Sequence, residues 1–306
     1  MFWQLIFSSS FLFSVLRVST PIVFAALGAL ISDRAGIVNI GLEGIMLTAA
    51  LGGVIGSAYT GSAALGLFFA VLSGLLFSAI LAWFTLKMKT DVILGGIALN
   101  LFASGGTIFF LSILTGEKGT SSSLPSKVLP DITLPLIARI PVLGDILSGH
   151  NLLTYVCILS VVGLWYLMNH TPLGYWIRAV GENHHAAESV GIDIFRIRFA
   201  ALLMSGLFAA LGGAFLSMGY VSWFSRDMSA GRGWIALAAE AMGGGLVVRT
   251  TITAAFFGLA DALANTLQTI NLPSELVKTI PYLGTIIGLA LYAVRRSRRE
   301  QKKGRS

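Results

Sequence analysis

The chain has 306 residues, 55% of them hydrophobic and only 11% charged, with a mean hydropathy of +0.82. A soluble domain carries about 25% charged residues, so this composition points instead to a polytopic membrane protein, an all-α bundle of transmembrane helices in a lipid bilayer. The net charge of +7 does not imply nucleic acid: Arg295, Arg296, Arg298, Arg299, Lys302, Lys303 and Arg305 crowd together after the last apolar run, which is the pattern of a cytoplasmic C-terminus.

A hydrocarbon core of about 30 Å needs about 20 apolar residues in a helix. In chain order the candidates are 8–32, 36–58, 62–86, 91–114, 151–169, 198–220, 233–248, 250–270 and 277–294, and eight to ten spans is the range they define. The opening MFWQLIFSSS has no basic residue before Arg17, so it reads as the start of the first span and not as a cleavable signal. That first span could also be two short passes, breaking near Arg17 and Pro21. The single cysteine, Cys157, excludes an intrachain disulfide and a cysteine-based metal cluster.

The stretch DRAGIVNIGLEGIMLTAA, 33–50, places Asp33, Arg34, Asn39 and Glu43 between two long apolar runs. Continued as a helix, it would put Asn39 and Glu43 on one face. Polar groups at membrane depth are expensive and usually face a partner or a water-filled path. These two either line a translocation path or its gate, or form an interhelical hydrogen-bond pair. Glu43 could also pair with Arg34. Asn100 stands alone and reads as packing glue.

Lys87 and Lys89 mark one inner loop, Arg178, Arg196 and Arg198 a second, and Arg249 a third. Working back from a cytoplasmic tail, these clusters agree with one threading if 233–248 crosses. It leaves 170–197 inside and 115–150 outside. The outer loop, with Pro125, Pro130, Pro135 and Pro141, reads as an extended connector. In the inner loop, Asn183 can cap a short helix over HHAAESV, and Gly191 suits its C′ position. That helix either transmits force from a soluble partner or lies on lipid head groups.

Further on, the segment 233–248 is short, glycine-rich and contains Glu240, so it reads as a broken or re-entrant element. Asp261, Asn265 and Gln268 follow at helical spacing and share a face, again as path lining or as packing. No lysine follows a glycine, so there is no phosphate loop and the chain cannot bind ATP in that manner. No HExxH and no Ser/His/Asp grouping appears, and the adjacent His184 and His185 point apart on a helix, so neither catalytic nor metal-binding residues are expected.

DRAGIVNIGLEGIM, 33–46, resembles the signature of ABC importer permeases for nucleosides and simple sugars. TPLGYWIRAVGENHHAAESVGID, 171–193, resembles the same family's coupling loop, and GWIALAAEAMGG, 233–244, its late glycine-rich element. The resemblance covers nearly the whole chain, as a single permease domain over 1–306. It implies a transport subunit of a bacterial cytoplasmic membrane, not an enzyme, with a coupling helix over about Glu182–Val190, which contains Asn183 and is framed by Gly174, Arg178, Gly181 and Gly191. It further implies a second, related permease, a cytoplasmic ATPase subunit holding ATP and Mg, and an extracytoplasmic substrate-binding lipoprotein. The VNIGLEG variant resembles the nucleoside-type branch. The same architecture also serves sugars, riboflavin or branched-chain amino acids. An ion-coupled secondary transporter, with Glu43 and Asp261 as its titrating groups, is the rival of another class.

Overall fold

A 26-residue helix, α1 (Ser9–Arg34), is buried along most of its length and packs against five other long or intramembrane helices. The computed structural model describes residues 8–268, apart from 118, 136–139 and 141. Arg17 and Pro21 both lie inside unbroken α1, so one continuous pass replaces the two short passes that the sequence left open. Arg17 does not break the helix because its guanidinium has a partner: Nη2 donates to the Tyr220 carbonyl at 2.6 Å and the group stacks on the Tyr220 ring.

After α1 come α2 (Leu42–Thr60), α3 (Ala63–Ala82) extended by a π-helical turn to Lys87, and α4 (Val92–Thr115). A loop follows with the short helix α5 (Leu143–Leu147) and a two-residue antiparallel ribbon, β1 (Asp131–Ile132) with β2 (His150–Asn151). Then come α6 (Leu152–His170), α7 (Pro172–Glu182), α8 (His184–Ser189), α9 (Ile194–Phe215) with a π-helical turn to Tyr220, α10 (Arg232–Gly243) and α11 (Val247–Gln268).

Seven of the described helices are long and apolar enough to cross a bilayer: α1, α2, α3, α4, α6, α9 and α11. They match seven of the nine candidates read from the sequence. The eighth candidate, 233–248, is α10, whose 12 residues extend only about 18 Å, roughly half the core thickness. The ninth, 277–294, and the basic tail lie outside the described residues.

Lipid supplies no hydrophobic drive between helices, so close backbone packing has to hold them. Gly213 of α9 illustrates this: a Cβ there would lie 2.1 Å from the Met46 carbonyl oxygen of α2. Large apolar side chains on α3, α4 and α6, such as Phe68, Phe102 and Leu159, point outward, while α1 and α2 form the interior. The loop after α4 lies over the start of the α9–α10 connection, where Ser121 N donates to Phe224 O and Leu129 N to Met218 O, both at 2.9 Å.

Candidate functional site

The bundle is organised at its centre by the turn between α1 and α2. The sequence pattern predicts a helix from residue 36, but α2 begins only at Leu42, and residues 35–41 form a non-helical return into the bundle. Non-helical backbone survives at such depth only when protein covers its polar groups. Here Ile37 N donates to Ser32 O (3.1 Å) and Asn39 N to Ser32 Oγ (3.3 Å). Asn39 itself is buried. Its Nδ2 donates to Ser205 Oγ of α9 (2.9 Å), and its Oδ1 accepts from Gly41 N (3.0 Å). Asn100 on α4 closes the other side, donating to Ile40 O (2.9 Å) and accepting from Gly44 N (2.8 Å). Asn39 therefore belongs to the loop and shares no helical face with Glu43.

Glu43, in the first turn of α2, reaches across to a different helix. Its Oε1 accepts from Gly231 N at 2.8 Å and its Oε2 from Gly233 N at 2.7 Å. The first N–H groups of any helix have no partner within it, and the helix dipole puts partial positive charge there. Glu43 thus caps α10 in trans. The fit requires Gly233, because a Cβ at that position would sit 2.6 Å from Glu43 N.

The other end of α10 is tied by the same stretch. Arg34 Nε donates to Gly245 O (2.6 Å) and Nη2 to Gly244 O (3.3 Å), in the turn that leads into α11. Gly245 has φ +69°, a left-handed backbone, and a Cβ there would collide with the Arg34 guanidinium. Arg34 and Glu43 do not pair with each other, as their spacing allowed. Each holds one end of α10.

Between the two glycines that cap onto Glu43, Arg232 projects toward α11 and forms an ion pair with Asp261, Nη2 to Oδ2, at 2.9 Å. Both side chains are about one-sixth exposed, at 16% and 17%. Asn265 lies one turn further along α11 and is exposed, and Gln268 is the last residue of that helix. Sequence reasoning singled out Asp261 but not Arg232, 29 residues away, because no local rule joins them. Breaking such a pair leaves one charge stranded at a cost of about 3–5 kcal/mol, whereas replacing both partners by apolar groups is often neutral. We expect Asp261→Leu to lower the thermal stability of the solubilised chain sharply, and Arg232→Leu/Asp261→Leu together to recover most of it. Equal losses in the single and double variants would disprove this coupling.

At the end of the bundle where Arg34 lies, α7 and α8 form an angled pair. Thr171 Oγ1 accepts from Gly174 N (3.3 Å), and Pro172 opens α7. Asn183 breaks the pair apart and caps α8, its Oδ1 accepting from Ala186 N at 3.1 Å. Gly191 follows α8 with φ +84°, the left-handed C′ position expected of it. The segment Glu182–Val190 is therefore not one rod: Glu182 ends α7, and α8 is a six-residue stub. Only Ala187 of α8 is buried, while Val190 beyond it is three-quarters exposed.

This pair is wedged against the α1–α2 turn. A Cβ on Gly181 would lie 2.1 Å from Arg34 O, and a Cβ on Gly174 would lie 2.1 Å from Leu167 O of α6. Arg198 of α9 donates from Nε to Ala35 O at 3.2 Å. A contiguous set of contacts thus runs from α8 through α7 to residues 34–36, then to Glu43, α10 and the Arg232–Asp261 pair.

A family described as branched-chain amino acid transport system / permease component matches residues 11–295. The chain is 33% identical over 290 residues to the nucleoside ABC transporter permease protein NupC of Lactococcus lactis, covering 91% of this chain and 90% of that one. It is 32% identical over 282 residues to the guanosine ABC transporter permease protein NupQ of Bacillus subtilis, covering 89% and 88%. It is 31% identical over 313 residues to TsgC13 of Haloferax volcanii, whose name provisionally assigns it to glucose ABC transport as a permease, covering 94% and 93%.

Proposed function

We propose a function from one premise: this chain belongs to the family of branched-chain amino acid transport system / permease components. It is the multi-pass permease subunit of an ABC importer, and we infer that its cargo is a nucleoside. The observation that carries the cargo is the pair of relatives named for nucleoside and guanosine transport, each matched over almost its full length.

In this reading α7 and α8 face the cytoplasm and receive a separate ATP-binding subunit, which holds ATP and Mg. The loop over 115–150 faces the outside, where a substrate-binding lipoprotein delivers cargo. A second permease, a copy or a relative, completes the pore, and the C-terminus is cytoplasmic. Gly174, Arg178, Gly181, Glu182, Asn183 and Gly191 shape the docking pair. Closure of the ATPase would push α7 against residues 34–36 and shift the Glu43–α10 clamp. The path would be lined in part by 33–46 and 257–268, through Glu43, Asp261, Asn265 and Gln268, while buried Asn39 braces the turn behind it.

The stub α8, exposed except for Ala187 and set off by breaks at Asn183 and Gly191, supports a docking role, and exposed Tyr175, Trp176, Val190 and Phe195 lie on the same α7–α9 stretch. The test is uptake of radiolabelled guanosine by cells producing this chain with its transport partners. Unlabelled nucleosides should compete and glucose should not. Competition by glucose instead would assign the cargo to the sugar branch represented by TsgC13.

A further inference from the structure

A cavity of about 400 Å³ opens between the end of α6, α7 and the α10–α11 turn. Three arginines line it: Arg34 from α1, Arg178 from α7 and Arg249 from the first turn of α11. Among the described residues, no acidic side chain lines it. Asp33 and Glu240 lie beside Arg34 and offset part of its charge. Arg34 is held in place by the Gly244 and Gly245 carbonyls. Arg178 lies over the Tyr175 ring at 4.9 Å, and its Nε is buried with no hydrogen-bond partner among the described residues.

The rest of the wall is apolar and faces outward. Trp165, Met168, Leu246, Val247 and Val248 complete it, and Trp165 and Val248 are about half exposed. Val247, Val248 and Arg249 also form the first turn of α11, whose N–H groups and dipole favour an anion. Arginines below an apolar wall, at a helix end carrying an exposed tryptophan, match the surface of a bilayer, where head group meets acyl chain.

We propose that this cavity binds the phosphate of an anionic phospholipid. The Arg178 and Arg249 guanidiniums donate to the phosphodiester oxygens, and one acyl chain lies along Trp165, Leu246 and Val248. The bound lipid would sit against the Arg34 turn and so bear on the α10 clamp. The proposal concerns a lipid site and does not depend on the identity of the cargo.

Native mass spectrometry of the full chain, released from micelles after titration with phosphatidylglycerol or phosphatidylcholine, tests it. Phosphatidylglycerol should be retained several-fold over phosphatidylcholine, and Arg249→Gln and Arg178→Gln should each cut retention about fivefold. Lys87→Gln/Lys89→Gln, basic residues outside the cavity, should leave it unchanged. Arg178→Lys retains the charge and should keep most of the binding, which separates lost recognition from misfolding. Equal retention of the two lipids would overturn the proposal. So would full displacement by millimolar inorganic phosphate, which would make this a site for free anions. Loss of ATPase-subunit association in Arg249→Gln with lipid retention intact would also overturn it, assigning the arginines to an acidic protein partner.

Discussion

Cells carrying Glu43→Ala are expected to lose nucleoside uptake almost completely. The wild-type carboxylate accepts two N–H bonds, 2.8 and 2.7 Å long, at the start of α10. Hydrogen bonds to an ionised group contribute about 1.5–3 kcal/mol each, and their loss here leaves two part-buried donors unpaired. A combined loss of about 3 kcal/mol lowers the population of correctly seated α10 about a hundredfold. Glu43→Gln should be intermediate, since one amide oxygen can still accept one bond while its NH₂ meets the second donor. The order wild type, Gln, Ala should appear both in initial uptake rates and in thermal stability of the solubilised chain. Normal uptake by the alanine variant would show that α10 is seated by something other than this carboxylate.

A second large effect is expected at the wedge between α7 and α1. Any side chain at Gly181 must displace the Arg34 carbonyl, which would lie 2.1 Å from its Cβ. Contacts between packed backbones cannot yield by so much without moving a helix. Gly181→Val should therefore reduce uptake about tenfold or more while the assembled complex still hydrolyses ATP. Gly163→Ala, on an open face of α6 with nothing within 4 Å of the added carbon, is the matched control and should transport normally. Uptake and ATP hydrolysis measured in the same proteoliposomes separate the two cases. Parallel loss of both activities in Gly181→Val would place its effect on assembly and not on coupling.

How much of this was legible in the sequence depended on whether the partner was local. The long apolar helices followed from composition and run length, because a bilayer imposes one length rule on all of them. The Asn183 cap and the Gly191 C′ position were also readable, since both act on backbone within three residues. Asn39 was recognised as an unusual polar residue, but the backbone around it was read as helix. Helical periodicity does not register Ser205 and Asn100, distant acceptors and donors that make an open turn affordable. The Glu43 clamp was hidden for the same reason: its partners are backbone N–H groups 188 and 190 residues away, which carry no sequence signature. Arg232 carried no signal of its own in the sequence, and it is the short α10 that brings it into the bundle beside Asp261.

The pairing at the centre has a consequence for what can pass. Glu43 offsets the partial positive end of α10, and Asp261 offsets Arg232, so these groups nearly cancel. In the path proposed above, these paired groups would present neither a trap for phosphate or carboxylate nor a well for sodium. Such a path suits a neutral nucleoside, whose own entry carries no net charge across the membrane.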